Sequence, residues 1–118
     1  MIKNLLTIPG RKAPGMELFE TLVTGAGDSA DDFLVERIIS NGEVTPEDQW
    51  YDQERDEWVA VLEGEACLLF EDGREVRLGC CDHVFLPKHC KHRVIYTSSP
   101  CIWLAVHGSP LKAHEGCV

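Results

Sequence analysis

A chain of 118 residues with 44% hydrophobic side chains has the size of one domain and can bury a small core. Twenty acidic against eleven basic residues give a net charge of -9, which argues against nucleic acid and against an anionic membrane as partners, since both would repel the surface. No apolar run approaches the roughly 20 residues that span a bilayer. The N-terminal apolar stretch Leu5-Leu6-Thr7-Ile8 is shorter than a secretory leader needs, so the expected location is cytoplasmic.

In chain order, residues 1–32 read as an N-terminal arm. Within it Met16 to Leu22 has helical spacing after Pro14-Gly15, which predicts a short helix, and Thr24 to Asp32 is rich in turn residues. From Phe33 to residue 108 the pattern is strand-like. Phe33–Ser40, Trp58–Leu62, Ala66–Phe70, Glu75–Leu78, His83–Leu86, Arg93–Tyr96 and Cys101–Val106 are short apolar or alternating runs, and Glu71-Asp72-Gly73 is a hairpin signal. Short strands at regular spacing indicate an all-β sandwich or closed barrel. Residues 109–118 form a polar tail. The six cysteines could pair arithmetically, but a chain with its own core and no export signal favours small buried thiols. The adjacent Cys80-Cys81 is unusual and shows no chemistry by itself.

Two spaced groups of residues resemble the motifs of the cupin family. The first motif has two histidines one residue apart, then a glutamate and, later, a glycine; Glu57 and Gly64 stand at the last two positions. The second has a glycine, a proline, a second glycine and a histidine; Pro87 and His92 match, while Cys81 and His89 stand where the glycines belong. The histidine pair falls on Tyr51 and Gln53, or on Trp50 and Asp52, and neither pair contains a histidine. The resemblance covers about residues 33–107. It implies a jelly-roll β-barrel with a site in its mouth, a divalent metal (Fe, Ni, Mn or Zn) as cofactor, and an activity on a small metabolite. The Trp-Tyr-Asp-Gln wording before Asp-Glu-Trp is similar to small single-domain cupins of unsettled activity.

On a strand, residues i and i+2 share a face. Tyr51 and Gln53 therefore point together, as do Glu57, Val59 and Val61, while Trp58, Ala60 and Leu62 make the opposite face apolar too. Such a strand is covered on both faces, by the arm or by a second subunit, so a homodimer is expected. If Thr97-Ser98-Ser99-Pro100 turns a hairpin, His92 opposes His107 and Tyr96 opposes Trp103. Gln53, Glu57, His92 and His107 then form a candidate metal set with an open position, because imidazole and carboxylate suit divalent ions. Glu57 and His92 are the candidate catalytic groups. Tyr51, Tyr96 and Trp103 are candidates to line a pocket for a small-molecule ligand. Two functions follow: a metal-dependent enzyme of dioxygenase or isomerase type, or a non-catalytic barrel that binds a small ligand without metal.

Overall fold

The structure, a computed structural model, describes residues 1–10, 17–25 and 33–114. Eight strands follow one another without a helix among these residues: β1 Leu18–Thr24, β2 Phe33–Ser40, β3 Asp56–Glu63, β4 Ala66–Phe70, β5 Glu75–Leu78, β6 His83–Leu86, β7 His92–Thr97 and β8 Cys101–Gly108. They form two antiparallel sheets, one in the order β1-β2-β8-β3-β6 and one in the order β5-β4-β7. The core lies between them. Val59, Val61 and Ala105 of the larger sheet pack with Leu68, Phe70 and Leu78 of the smaller, and each buried Val, Leu or Phe side chain contributes about 1.5–3 kcal/mol.

Three sequence expectations are corrected here. The segment expected to start the fold as a helix is strand β1, paired with β2 from Leu18↔Ile39 to Thr24↔Leu34. Met16 and residues 26–32 of the predicted helix and loop lie outside the described residues. An isolated helix this short is marginal in water, whereas an edge strand gains a ladder of backbone hydrogen bonds from β2. The sheets also do not close into a barrel: among the described residues no ladder joins β1 or β6 to β5 or β7.

The third correction concerns β7 and β8. They are not a hairpin, because β7 pairs with β4 and β8 lies between β2 and β3. The chain crosses from one sheet to the other over residues 98–100. His92 and His107 therefore belong to facing sheets rather than to neighbouring strands.

Both ends of the described chain are fastened to the larger sheet. Arg37 of β2, only 8% exposed, donates to Glu20 Oε1 (2.6 Å) and to the carbonyls of Leu5 (2.8 Å) and Thr7 (2.7 Å). A buried guanidinium needs this many acceptors, and they hold the arm on β2. At the other end the Leu111 amide donates to Asp56 Oδ2 (2.9 Å). That bond, with a second from the Lys88 amide, holds the Asp56 carboxyl below the usual carboxylate range. Leu111 shares a surface hollow with Trp58, Phe85 and Val106, so the tail covers part of the outer apolar face.

Candidate functional site

Between the sheets lies a cavity of about 120 Å³, bordered by Glu36 and Ile38 of β2, Glu57 and Val59 of β3, Trp103 and His107 of β8, and His92 and Val94 of β7, with Glu17, Phe19, Tyr51, Gln53, Leu68 and Leu86 completing it. The residues that face it follow strand alternation. Glu57 lies directly opposite His107 across the β3–β8 ladder. Glu36 lies two residues along β2 from Leu34, the partner of His107, within side-chain reach.

A row of hydrogen bonds results. His107 Nε2 donates to Glu36 Oε2 (2.8 Å) and stands 4.0 Å from Glu57 Oε2. Gln53 Nε2 donates to Glu57 Oε1 (3.0 Å). Glu57 and His107 are 8% and 5% exposed, so their charges and lone pairs depend on these partners rather than on bulk water. The His107 Nδ1 atom is buried and has no hydrogen-bond partner among the described residues.

The opposite wall carries His92, which is 6% exposed. Its Nδ1 lies 2.8 Å from the Cys90 carbonyl. A carbonyl only accepts, so the proton sits on Nδ1 and a neutral ring keeps Nε2 as its acceptor. The ring stacks on Tyr51 at a centroid distance of 5.5 Å. A two-way backbone bridge between the same two residues, Tyr51 N to His92 O (2.8 Å) and His92 N to Tyr51 O (3.2 Å), sets that stack. Burial, helped by the carboxylates of Glu17, Glu57 and Glu36, pushes the Tyr51 hydroxyl above its usual range, so the phenol keeps its proton.

Six of the seven candidate residues thus border one cavity: Tyr51, Gln53, Glu57, His92, Trp103 and His107. Tyr96 does not. It is 44% exposed and carries the Arg77 guanidinium 5.8 Å above its ring on the outer surface. The reason is a β-bulge. On β4 the partners pass from Cys67↔Tyr96 to Leu68↔Val94, leaving Ile95 unpaired. One extra residue reverses the alternation, so His92 and Val94 face inward and Tyr96 faces out.

The sequence reading missed Glu17, Phe19 and Glu36. Glu36 had a signal, a carboxylate within the apolar run of Phe33 to Ser40 on the same face as Ile38. Glu17 and Phe19 had none once their segment was read as a helix.

Glu17 also borders an adjoining cavity of about 220 Å³ with Glu43, Trp50 and Tyr51. Its Oε2 accepts from Ser40 Oγ (2.5 Å), and that oxygen accepts in turn from Trp103 Nε1 (3.1 Å). Burial raises the Glu17 pKa above the ordinary carboxylate value of 4.5; the Ser40 bond opposes the shift and the Glu43 carboxylate adds to it. A carboxyl that holds its proton more tightly when folded stabilises the fold at low pH. That contribution is lost as pH rises from the ordinary value through the folded one. Glu17→Gln is therefore expected to stabilise the protein at pH 7 and leave it unchanged near pH 3, as urea unfolding at the two pH values measures. A loss at pH 7 would contradict the assignment.

The resemblance implies a divalent metal, and the donor set does not fit one. Among the described residues no three of His, Cys, Asp or Glu converge as a metal group. His107 Nε2 is engaged by Glu36 and Gln53 turns its amide nitrogen to Glu57, so the imidazole nitrogens left unengaged are His92 Nε2 and His107 Nδ1, on facing sheets. Four ligands were expected to meet at one point; they are instead hydrogen-bonded to each other or stand across the cavity. Protein purified without a histidine tag is expected to carry well under one metal per chain by elemental analysis, a value that His92→Ala leaves unchanged. Stoichiometric metal lost in that variant would restore the metal site.

Comparison with known proteins agrees with this architecture. The family model described as "Cupin domain" matches residues 36–107. The chain is a cupin. A crystal structure of a protein called a "putative mannose-6-phosphate isomerase" from Ralstonia eutropha JMP134 is 37% identical, covers 92% of this cupin and 97% of its own chain, and superposes with a TM-score of 0.80. A cupin superfamily protein from Desulfitobacterium hafniense DCB-2 is 17% identical over 82% of this chain and 81% of its own, with a TM-score of 0.67. An RmlC-like cupin from Desulfovibrio desulfuricans is 16% identical over 94% and 99%, with a TM-score of 0.68; both of these likenesses show the fold alone. No curated protein matches the chain. No helix among the described residues is long and apolar enough to cross a membrane.

Proposed function

We propose that this cupin is a metal-independent acid–base enzyme of isomerase type, acting on a small uncharged hydroxy-carbonyl compound. The observation that carries it is the pairing across the cavity. Glu57, oriented by Gln53, stands on one sheet and His92, oriented by the Cys90 carbonyl, stands on the other. A substrate between them would meet a carboxylate on one side and an imidazole acceptor on the other. Moving a proton between neighbouring oxygen-bearing carbons needs two such groups: Glu57 takes the carbon proton and returns it to the next carbon, while His92 Nε2 takes the hydroxyl proton and returns it to the former carbonyl oxygen.

The cavity's chemistry narrows the substrate. The cavity holds about 120 Å³ and the adjoining one about 220 Å³, each below the roughly 300–1,000 Å³ of drug-sized pockets. Three glutamates line the first and, among the described residues, no lysine or arginine does; Arg55 borders a narrow crevice beside Gln53 and His92. A phosphate dianion would meet like charge there and, among the described residues, no lysine or arginine to anchor it. The function in the name of the 37% identical protein therefore suggests a reaction type, and the lining argues against a phosphorylated substrate. Turnover of small aldoses and ketoses, followed by NMR as deuterium entry from D₂O, tests the reading. Exchange is expected with the neutral compounds and not with their phosphate esters. The reverse preference would refute it, and saturable binding of every compound without exchange would leave a non-catalytic binder.

We also propose that the protein is a homodimer. Phe19 and Val23 on the free edge strand β1 are 56% and 52% exposed, and an apolar unpaired edge favours a second copy. Sedimentation should show a dimer that Phe19→Asp converts to monomer; a monomeric wild type would end this part of the proposal.

A further inference from the structure

The turn between β5 and β6 carries a feature the cavity does not use. Cys80 and Cys81 are both exposed free thiols, and their sulfurs stand 3.6 Å apart. Neighbouring residues on a strand point to opposite faces. Here Cys81 has φ 71°, and the turned backbone brings both side chains to one side. The turn is pinned to β3 by Cys81 N to Val61 O (2.6 Å) and Val61 N to Asp82 O (3.0 Å), and closed by Asp82 N to Gly79 O (3.0 Å) and Gly79 N to Asp82 Oδ2 (2.8 Å). Cys80 Sγ also reaches the Leu62 carbonyl at 3.3 Å.

We propose that Cys80 and Cys81 form a preorganised dithiol site for a trivalent arsenic species such as arsenous acid, independent of the chemistry in the cavity. The spacing suits a single bridging atom. Two bonds of about 2.3 Å at a tetrahedral centre hold their sulfurs roughly 3.8 Å apart, and a pyramidal centre with a narrower angle holds them somewhat closer. A disulfide would need the sulfurs to close from 3.6 Å to about 2.05 Å within a pinned turn. Zinc needs four ligands, and among the described residues no third His, Cys, Asp or Glu completes a metal group with the pair. Trivalent arsenic needs two sulfurs and keeps one hydroxyl.

The reaction balances without an oxidant. As(OH)₃ and two thiols give (RS)₂As–OH and two waters; two S–H and two As–O bonds break, two S–As bonds form, and each thiol proton leaves on an arsenic hydroxyl. The contact with Cys81 raises the Cys80 thiol above its usual range, so Cys80 holds its proton, which this condensation tolerates and zinc binding does not.

Titration with arsenous acid, read by intact mass and by counting reactive thiols, tests the site. One arsenic per chain is expected, with two thiols protected. Cys80→Ser and Cys81→Gly should each weaken the complex at least a hundredfold, because the second bond forms at the millimolar or higher effective concentration of a tethered group. Cys90→Ser, which changes a lone half-buried thiol, should not. Cys81→Gly removes a side chain from a left-handed backbone position, so its loss of binding would not reflect misfolding. Absence of a one-to-one adduct, or an adduct that survives either substitution, overturns the proposal.

Discussion

Gly64→Ala is expected to destabilise this cupin by about 3 kcal/mol and to lower Tm by on the order of 10 °C. Gly64 sits in the turn that carries the chain from β3 of the larger sheet to β4 of the smaller, at φ +90°, where an L side chain is strained. Space adds to the cost. A Cβ there would stand 2.5 Å from the Pro100 carbonyl oxygen and 3.1 Å from Cys101 Cα, and would collide with Ser98 Oγ. Two of those three neighbours are backbone, in the segment that carries the chain from β7 to β8. Ser98 is also committed, since its Oγ accepts from the Glu65 amide (2.8 Å) and donates to the Pro100 carbonyl (2.9 Å). Gly73 provides the control. It has φ +92° and nothing within 4 Å of its Cβ position, so Gly73→Ala should lose only the backbone share, about 1 kcal/mol. Equal losses at the two positions by urea unfolding would show that the packing at Gly64 is not as described.

The same backbone chemistry explains part of what was legible in the sequence. The positions where the second cupin motif has glycines are held by Cys81 and His89. The structure gives these two residues φ 71° and 63°, the non-glycine positive values among the described residues. Both positions thus have the left-handed backbone that the motif's glycines adopt without strain, although their side chains differ from the motif. Strands β2, β4, β5 and β6 lie where alternation and turn residues placed them, because each is a short apolar or alternating run with turn residues nearby. The failures share a cause. Helical spacing in residues 16–22, the β7–β8 hairpin and the inward Tyr96 were each inferred from local pattern. Each was overruled by pairing with a strand outside the local pattern: β2 for β1, and β4 for β7 with its bulge. Glu36 joined the site through a neighbour on β8 seventy-one residues away, which no local spacing reveals.

Glu57→Gln is expected to lower turnover by about 10²–10⁴-fold, the usual effect of losing a general base, with KM changed far less. The substitution preserves shape, and an amide oxygen can still accept from Gln53 Nε2, now 3.0 Å from Glu57 Oε1. It removes the property the proposed reaction uses, a carboxylate able to hold a proton. Stability should not fall, because Glu57 is one of three glutamates on the wall of a small cavity and its removal relieves like charge. A folded variant with an intact binding constant and no deuterium exchange would locate the defect in proton transfer. Glu36→Gln separates positioning from catalysis. Glu36 holds His107 rather than facing His92 across the cavity, so it should shift the pH profile and cost activity less than Glu57→Gln does. If Glu57→Gln kept full exchange while His92→Gln lost it, the carboxylate would be a structural partner of His107 and the imidazole would act alone.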